Sequence, residues 1–260
     1  MEELQQPIPK YYQIYEKLLE QIKSGEFEEY DRFYSDMDLV EKFDVSRGTI
    51  REAVKLLIQQ GYLVREQGRG TFVTSPPIEQ DSEKLMGFTE LMEKHDIEPS
   101  AKIIEQNVIT APIDLMSLME LGEKDKLVHI VRVRYGNDHP LIIEQSYFVH
   151  ELFRTIIDKD LESNSIYKLL YKYTDTELGE AKQQITAISA GEKEAELLNV
   201  NVGDPLLLMK RLIETKSGKI FQYSEDVYRS DRINFTTTTK PYDQNHESHS
   251  LPLELEEYSW

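Results

Sequence analysis

The 260-residue sequence contains no cysteine. Disulfide frameworks, thiolate metal sites and cysteine nucleophiles are therefore excluded, and a reducing cytoplasm is a compatible environment. No apolar run approaches the ~18 residues that a membrane span requires. The opening MEELQQPIPKYY also lacks the basic and apolar regions of a signal peptide. These absences predict a cytoplasmic protein with no membrane partner.

Recognisable catalytic and metal-binding patterns are also lacking. The six histidines have no ligand-like spacing, and neither a nucleophile elbow nor a P-loop is present. Glu144, Glu225, Asp226 and two arginines could be assembled into an acid–base site, so an enzyme is one alternative. A pure protein-interaction module is another. We predict no catalytic residue, no metal and no cofactor.

Positive charge is scarce except in one segment. The chain has 30 Lys and Arg against 48 Asp and Glu, a net charge of −18. So acidic a chain is not expected to coat nucleic acid nonspecifically, because duplex DNA is itself a dense line of negative charge. Residues 45–75, however, hold five basic side chains against two acidic ones, a net charge of +3. A short basic island therefore lies in an acidic protein.

The first part of the chain has the pattern of a helix-turn-helix. Apolar residues recur at helical spacing over residues 11–23. Two further helices are predicted to begin after Ser35 and Ser46, whose hydroxyls can accept hydrogen bonds from early backbone N–H groups. Gly61 ends the third helix. Two helices separated by a tight turn are the result.

A hairpin with glycines at its tip follows the third helix. Strand-like runs at 62–65 and 71–73 flank a turn that carries Arg69 and Gly70. This arrangement predicts the wing of a winged helix-turn-helix.

The third helix carries a basic stripe. Arg47, Arg51 and Lys55 lie four residues apart, on a different face from the apolar positions. A recognition helix presents its first turn to the major groove, where arginine can contact guanine, and an arginine at a wing tip can enter the minor groove. The alternative is an ordinary solvated face. The predicted DNA-binding residues are Ser35, Ser46, Arg47, Thr49, Arg51, Lys55, Arg69 and Gly70.

Beyond the hairpin, the pattern changes to strands interrupted by helices. The predicted strands are 101–109, 127–135, 141–148, 183–189, 206–214 and 219–228, and the predicted helices are 88–94, 114–121, 165–173 and 192–198. Two turn-rich links favour antiparallel pairing, so we predict an α+β fold with a mostly antiparallel sheet. The predicted domains are a DNA-binding domain at 1–75, a proline-containing linker at 76–84, an effector domain at 85–235 and a polar tail at 236–260.

Two arginines share one face of a predicted buried strand. Alternation places Arg132 and Arg134 on the same side, and the turn that follows sets Glu144 opposite Arg132. One interpretation is a structural ion pair at the sheet rim. The other is an anion clamp, since guanidinium groups suit phosphate or carboxylate.

Other polar residues favour the clamp. The predicted helices that open at Phe88-Thr89 and at Ser165-Ile166-Tyr167 present free N–H groups, which attract anions. Gln222, Ser224 and Tyr228 share a face of the last strand. Each of these residues is also explained as an ordinary cap or half-buried strand residue.

These motifs resemble a known family. Residues 9–73, and especially VSRGTIREAV at 45–54 and QGRGTFV at 67–73, closely resemble the winged helix-turn-helix of GntR-family regulators. Residues 85–235 resemble the UTRA effector domain of the HutC branch, whose fold is similar to that of chorismate lyase. The resemblance implies a homodimer on a palindromic, double-stranded operator, acting as a repressor that is released when its effector binds.

The resemblance also implies an effector site. UTRA domains that bind sugar phosphates use positions matched here by Phe88, Thr89, Arg132, Arg134, Glu144, Ser165, Tyr167 and Tyr228. The same motif often has glutamate where this chain has Gln222, which weakens the case for an amino sugar. A sugar phosphate is the first expectation, and a small carboxylate or amino-acid derivative is the second.

Two departures from the family pattern concern DNA. The run Tyr34-Ser35-Asp36-Met37 lacks the arginine that family members often place there, and Gly48 replaces a larger polar residue. These departures favour an operator that differs from the family's usual one.

Overall fold

Residues 8–240 are described by the computed structural model, which divides the chain into two units, Met1–Pro77 and Ile78–Trp260. The first unit comprises α1 (Lys10–Lys23), α2 (Asp36–Phe43), α3 (Arg47–Gln59), β1 (Leu63–Glu66) and β2 (Gly70–Val73). Ser35 accepts a hydrogen bond from the N–H of Asp38 in a capping box, and Ser46 caps α3 by accepting from the N–H of Thr49. The predicted helix starts and the hairpin are confirmed.

The three helices of the first unit bury one apolar stripe each. Leu18 of α1, Leu39 of α2, and Ile50 and Leu57 of α3 are fully buried in one cluster. Burying each such side chain contributes about 1.5–3 kcal/mol. Leu63 of β1 joins the same cluster and anchors the hairpin against the helices. Because the face of α3 that carries Ile50 and Leu57 packs in the core, the opposite face of the helix is exposed.

The second unit contains a six-stranded sheet. Its elements are β3 (Ile78–Asp81), α4 (Phe88–Lys94), β4 (Pro99–Thr110), α5 (Ile113–Leu118), β5 (Lys126–Gly136), β6 (His139–Val149), α6 (His150–Phe153), α7 (Ile166–Tyr173), β7 (Leu178–Ser189), α8 (Glu192–Leu198), β8 (Pro205–Thr215), β9 (Ile220–Arg229) and β10 (Ile233–Thr236). The sheet has the order β4-β5-β6-β9-β8-β7, and every neighbouring pair is antiparallel. The predicted fold class, six strands and four helices are confirmed.

Helices cover both faces of this sheet. On one face, Val128, Phe148 and Ile213 pack against Phe153 of α6 and Leu170 of α7. The other face packs against α8 and α5 through separate clusters of apolar strand residues. The central strands are consequently buried on both sides, so a buried polar side chain on them is costly unless a protein group or a ligand pairs with it.

The predicted linker at 76–84 is wrong for residues 78–81. They form β3, which pairs in parallel with β10, with Ile78 aligned with Ile233. Ile78 and Gln80 are buried by this pairing. The sequence of this segment is mostly polar and does not predict a strand. It forms one because β10, at the far end of the same unit, pairs with it.

The same pairing shows that the predicted tail at 236–260 begins too early, because its first residue still belongs to a strand. Thr236 is the last residue of β10, and Thr237 donates a hydrogen bond to the Glu83 carboxylate at 3.1 Å. Residues 241–260 lie outside the described part of the chain. Among residues 8–240, the helices are all too short or too polar to cross a membrane.

The β3–β10 pair gives a first testable prediction. Ile233→Ala should destabilise the second unit by about 2–5 kcal/mol, because a fully buried side chain is removed and a cavity is left. Urea unfolding monitored by circular dichroism measures this. Asn234→Ala, on the exposed side of the same strand, is the control. Equal stability of the two variants would show that the strand is not part of the folded unit.

Candidate functional site

The exposed face of α3 carries three cations. Arg47, Arg51 and Lys55 are all exposed, and the nearest carboxylate to Lys55, that of Glu52, is 3.9 Å away and equally exposed. Exposed pairs of this kind are weak, so the stripe keeps its positive charge available. The hydroxyls of Ser46 and Thr49 lie 2.9 Å apart at the start of the same helix.

A shallow groove separates this helix from the hairpin. It is lined on one side by Arg51 and Lys55 and on the other by Arg65 of β1. Arg65 also donates a hydrogen bond to Asp36 at 2.9 Å, which ties the hairpin to the start of α2. Arg65 was not among the predicted DNA-binding residues, although it belongs to the basic island.

Two further cations lie at or beside the hairpin tip. Arg69 is exposed, forms an ion pair with Glu66, and lies 5.5 Å from the centre of the Phe72 ring. Gly70 has a φ of +132°, and a Cβ there would lie 3.3 Å from Nε of Arg32. Glycine is therefore favoured at this position by its backbone angle. Arg32, which precedes α2 and bridges to Phe72 of β2, is a cation beside the tip that was not predicted from the sequence.

The eight predicted DNA-binding residues fall into three places within the first unit. Ser46, Arg47, Thr49, Arg51 and Lys55 are together on α3, Ser35 lies at the start of α2, and Arg69 and Gly70 are at the hairpin tip. Contact of any of them with DNA stays a prediction.

The second unit encloses a polar cavity between the sheet, α4 and α7. The space between its walls, counted out to the mouth and including open solvent, is about 590 Å³. The structure brings all nine predicted effector residues to its wall. They are Phe88, Thr89, Arg132, Arg134, Glu144, Ser165, Tyr167, Gln222 and Tyr228. Their binding role stays a prediction.

A hairpin turn and a β-bulge together set the register of the cavity floor. Asn137 and Asp138 both have left-handed φ angles, 46° and 65°, as a type I′ turn requires. The turn pairs Gly136 with His139, and a register shift between Arg134 and Tyr135 then places Arg132 opposite Glu144, the pairing that the sequence predicts. β9 then aligns Asp226 with Glu144 on the other side.

Two acceptors of the protein bind the guanidinium group of Arg132. It donates to the Glu144 carboxylate at 2.7 Å and to the backbone carbonyl of Leu161 at 2.7 Å. These contacts match the structural ion pair that was one interpretation of the two arginines.

Arg134 is engaged less completely. It donates to the Thr89 hydroxyl at 3.1 Å and lies 4.5 Å from the centre of the Phe88 ring, but its Nη1 is 3.6 Å from Glu144. Its Nε is buried and has no hydrogen-bond partner among the described residues. Arg134 therefore has donor capacity left for a ligand.

The charges of the cavity favour an anion. Burial lowers the pKa of Arg134 to about 10, which leaves it a cation at neutral pH. Burial raises the pKa of Asp226 to about 7, and the neighbouring Glu144 charge raises it further. Burial also opposes ionisation of Glu144, but Arg132 and Arg134 outweigh it and hold its pKa below the ordinary value. With Arg211, three cations face two carboxylates, of which one is partly protonated near neutral pH.

A chain of hydrogen bonds fixes the remaining polar wall. The Tyr167 hydroxyl donates to Gln222 Oε1 at 3.1 Å, and Gln222 Nε2 donates to the Ser146 hydroxyl at 3.1 Å. Ser165 caps α7 by accepting from the N–H of Lys168. Both ends of the Gln222 amide are therefore already satisfied by the protein.

Two charged residues of the cavity were not predicted as effector residues. Arg211 of β8 is aligned with Ser224 of β9, and Asp226 lies two residues further along β9, on the same face. The available signal was the short link at Ser217-Gly218, because the hairpin it predicts brings Arg211 to the face that also carries Gln222.

Comparison with known proteins places both units in described families. The model of the UTRA domain matches residues 94–234, more than half of the chain, and that of bacterial regulatory proteins of the gntR family matches residues 10–73. The HTH-type transcriptional repressor NagR of Bacillus subtilis is 36% identical over 231 residues, which cover 89% of this chain and 95% of NagR.

Two further relatives have names that refer to sugar derivatives. The mannosyl-D-glycerate transport/metabolism system repressor MngR of Escherichia coli is 28% identical, over 88% of this chain and 95% of MngR. A probable fructoselysine utilization operon transcriptional repressor of the same species is 27% identical, over 88% of this chain and 94% of that protein.

A solved structure shares the fold over most of the chain. PhnF from Mycobacterium smegmatis superimposes with a TM-score of 0.75 at 20% identity, covering 87% of this chain and 99% of PhnF. At that identity the similarity concerns the fold alone.

The raised pKa of Asp226 predicts a pH-dependent stability. Its folded pKa of about 7 lies above the ordinary aspartate value of 3.8, so between these values the folded protein binds more protons than the unfolded chain. Stability is then lost as the pH rises from about 4 to about 7. Asp226→Asn removes this loss. The difference in melting temperature, variant minus parent protein, should therefore be more positive at pH 8 than at pH 5.

Glu180→Gln, which removes an exposed carboxylate from β7, is the matched control. If the melting temperatures of Asp226→Asn and the control, each relative to the parent protein, change equally between the two pH values, the pKa of Asp226 is not raised in the folded protein.

Proposed function

The chain belongs to the GntR family of bacterial regulatory proteins and carries a UTRA domain, and on this premise we propose that it represses transcription from a palindromic operator until a small anionic effector binds. It is a transcription regulator and not an enzyme, in keeping with its relatives. Since bacterial DNA lies in the cytoplasm, the protein acts there.

The exposed stripe on α3 supports specific operator binding. The three cations lie along one face of the helix, and the two hydroxyls lie at its start. The rest of the protein is acidic, and the net charge of the whole chain is −18. An acidic body opposes nonspecific attraction to DNA, so affinity depends on contacts that this stripe and the wing make in the grooves. A homodimer would place two such helices on half-sites about 34 Å apart, which requires a palindrome.

The free donor of Arg134 is the single observation that carries the effector proposal. A buried guanidinium that lacks a close carboxylate of its own is costly to keep charged, and an anion from solvent removes that cost. Its planar donors suit phosphate and carboxylate alike. Because two relatives are named for sugar-derived compounds, we place a sugar phosphate first.

A small carboxylate is the second candidate. The MngR relative is named for mannosyl-D-glycerate, a sugar derivative that carries a carboxylate instead of a phosphate. Gln222 gives no support to an amino sugar, since its amide oxygen already accepts from Tyr167 and it bears no charge to pair with an ammonium group.

Loss of one recognition-helix cation should weaken operator binding. Arg51→Ala is expected to reduce operator affinity at least tenfold, because a base contact by arginine contributes about 1–3 kcal/mol of discrimination. Fluorescence anisotropy at physiological salt, with random duplex as competitor, measures the affinity. Lys17→Ala removes an exposed cation from α1 of the same unit and should leave affinity within about twofold. Unchanged operator affinity of Arg51→Ala would refute the assignment of α3.

Loss of the free guanidinium should uncouple the effector from DNA. Arg134→Gln is expected to bind the operator normally but to require at least tenfold more effector for release, since the charge that holds the anion is gone. A thermal-shift screen of hexose 6-phosphates and sugar acids identifies the working ligand. Lys102→Gln, an exposed cation on β4, is the control. Release of Arg134→Gln at the parent concentration would contradict the anion site.

A further inference from the structure

Asp226 and Arg211 lie in the effector cavity without a role in the anion site proposed above. Both are buried, with 5% and 6% of their surface exposed. Oδ2 of Asp226 accepts from the Ser224 hydroxyl at 3.0 Å, but Oδ1 has no hydrogen-bond partner among the described residues. Nε of Arg211 is likewise without one in residues 8–240. The cavity therefore presents one free acceptor and one free donor in addition to Arg134.

The sheet separates this pair from Arg134. Arg134 lies on β5, Asp226 on β9 and Arg211 on β8, in a sheet with the order β5-β6-β9-β8. Three steps of about 4.8 Å separate the two strands by about 14 Å. The pairings Arg134–Ile142, Ile142–Tyr228 and Tyr228–Leu207 also place Arg211 four residues farther along β8. Both arginines line the same cavity, so a ligand of several atoms is needed to contact both.

The surroundings of the pair leave it in need of a polar partner. Arg211 Nη2 contacts the sulfur of Met209 at 2.7 Å, and no carboxylate of the described residues forms a salt bridge with Arg211. The nearby hydroxyl of Tyr167 belongs to a group that burial keeps neutral, because it raises the pKa of Tyr167 to about 12. Neither a thioether nor a neutral phenol matches what a buried guanidinium can gain from a ligand oxygen.

The carboxyl of Asp226 is surrounded by charges of both signs. Glu144 of β6 faces it across the sheet and opposes its ionisation, whereas Arg211 of β8 and Arg132 of β5 favour it. Tyr228 of β9 and Tyr167 of α7 are the neutral groups of the same wall. A second anion beside Asp226 would be repelled by both carboxylates, so a hydroxyl group, which donates to the free Oδ1, is the better partner.

We propose that Asp226 and Arg211 form a second subsite, which holds the hydroxyl-bearing end of the effector while Arg134 holds its anionic end. Oδ1 of Asp226 accepts from one ligand hydroxyl, and Nε of Arg211 donates to a neighbouring oxygen. The pair therefore selects a polyhydroxylated anion over a simple one. This subsite rests on the proposed function, because it requires an anion at Arg134.

The test compares two ligands that share the anionic end. The full-length protein is titrated by calorimetry with methyl phosphate and with the hexose 6-phosphate that raises its melting temperature most. The parent protein is expected to bind the hexose phosphate at least about tenfold more tightly, because a site built for hydroxyl groups loses hydrogen bonds to a ligand that lacks them.

Two conservative variants report on the pair. Asp226→Asn and Arg211→Lys should each lower the affinity for the hexose phosphate at least about tenfold and change that for methyl phosphate less than about twofold. Glu225→Gln, on the other face of β9 beside Asp226, should change neither. Retained binding of methyl phosphate also shows that the cavity is still folded.

Three results overturn the subsite. The first is equal loss of affinity for both ligands, since the pair would then support the whole cavity. The second is no loss for either ligand. The third is a parent protein that binds methyl phosphate as tightly as every hexose phosphate. A parent protein that binds no phosphate compound at all is a different failure, because it refutes the sugar-phosphate effector itself.

Discussion

Between strands β5 and β6, the carboxylate of Glu144 faces the two buried guanidinium groups of Arg132 and Arg134. One negative charge cannot neutralise two positive ones, and the 2.7 Å contact goes to Arg132. Taking a charge out of water is costly unless a partner of opposite sign replaces the water. Asp226 and Glu90 lie in the same surroundings, but neither forms a salt bridge with Arg134 among the described residues. The positive charge of Arg134 is therefore only partly compensated, and an anion that entered the cavity would lower the free energy of the folded state.

The two units use positive charge in opposite ways. On α3 the cations are exposed, so they cost little and their attraction for DNA depends on salt. In the cavity the cations are buried, so each contact is stronger and selective for geometry. On the proposed function, this difference lets one acidic chain bind DNA on its surface and a small anion in its interior without competition between the two.

Local signals predicted the parts of the fold that depend on neighbouring residues. Caps at Ser35 and Ser46 gave the starts of α2 and α3. The turn after β5 gave the pairing of Arg132 with Glu144, although the structure reaches it through a register shift that the sequence did not predict. The nine predicted effector residues, all of which line the cavity, came partly from the family resemblance.

Pairings between distant segments were not predicted. β3 was taken as linker because its partner β10 lies at the other end of the unit. Arg211 and Asp226 were not predicted to line the cavity, although the Ser217-Gly218 hairpin aligns Arg211 with Ser224 and alternation puts Asp226 on the same face. That this face joins the face of Arg132 and Glu144 depends on the β6–β9 pairing, in which no short turn fixes the register.

The position of β3 suggests how the effector reaches DNA binding. β3 begins at residue 78, where the first unit ends, and its Gln80 lines the cavity. On the proposed function, a ligand that contacts Gln80 would act directly on the strand that follows the first unit in sequence. Because binding free energies are linked, operator binding must then alter effector affinity by the same factor as the effector alters operator affinity.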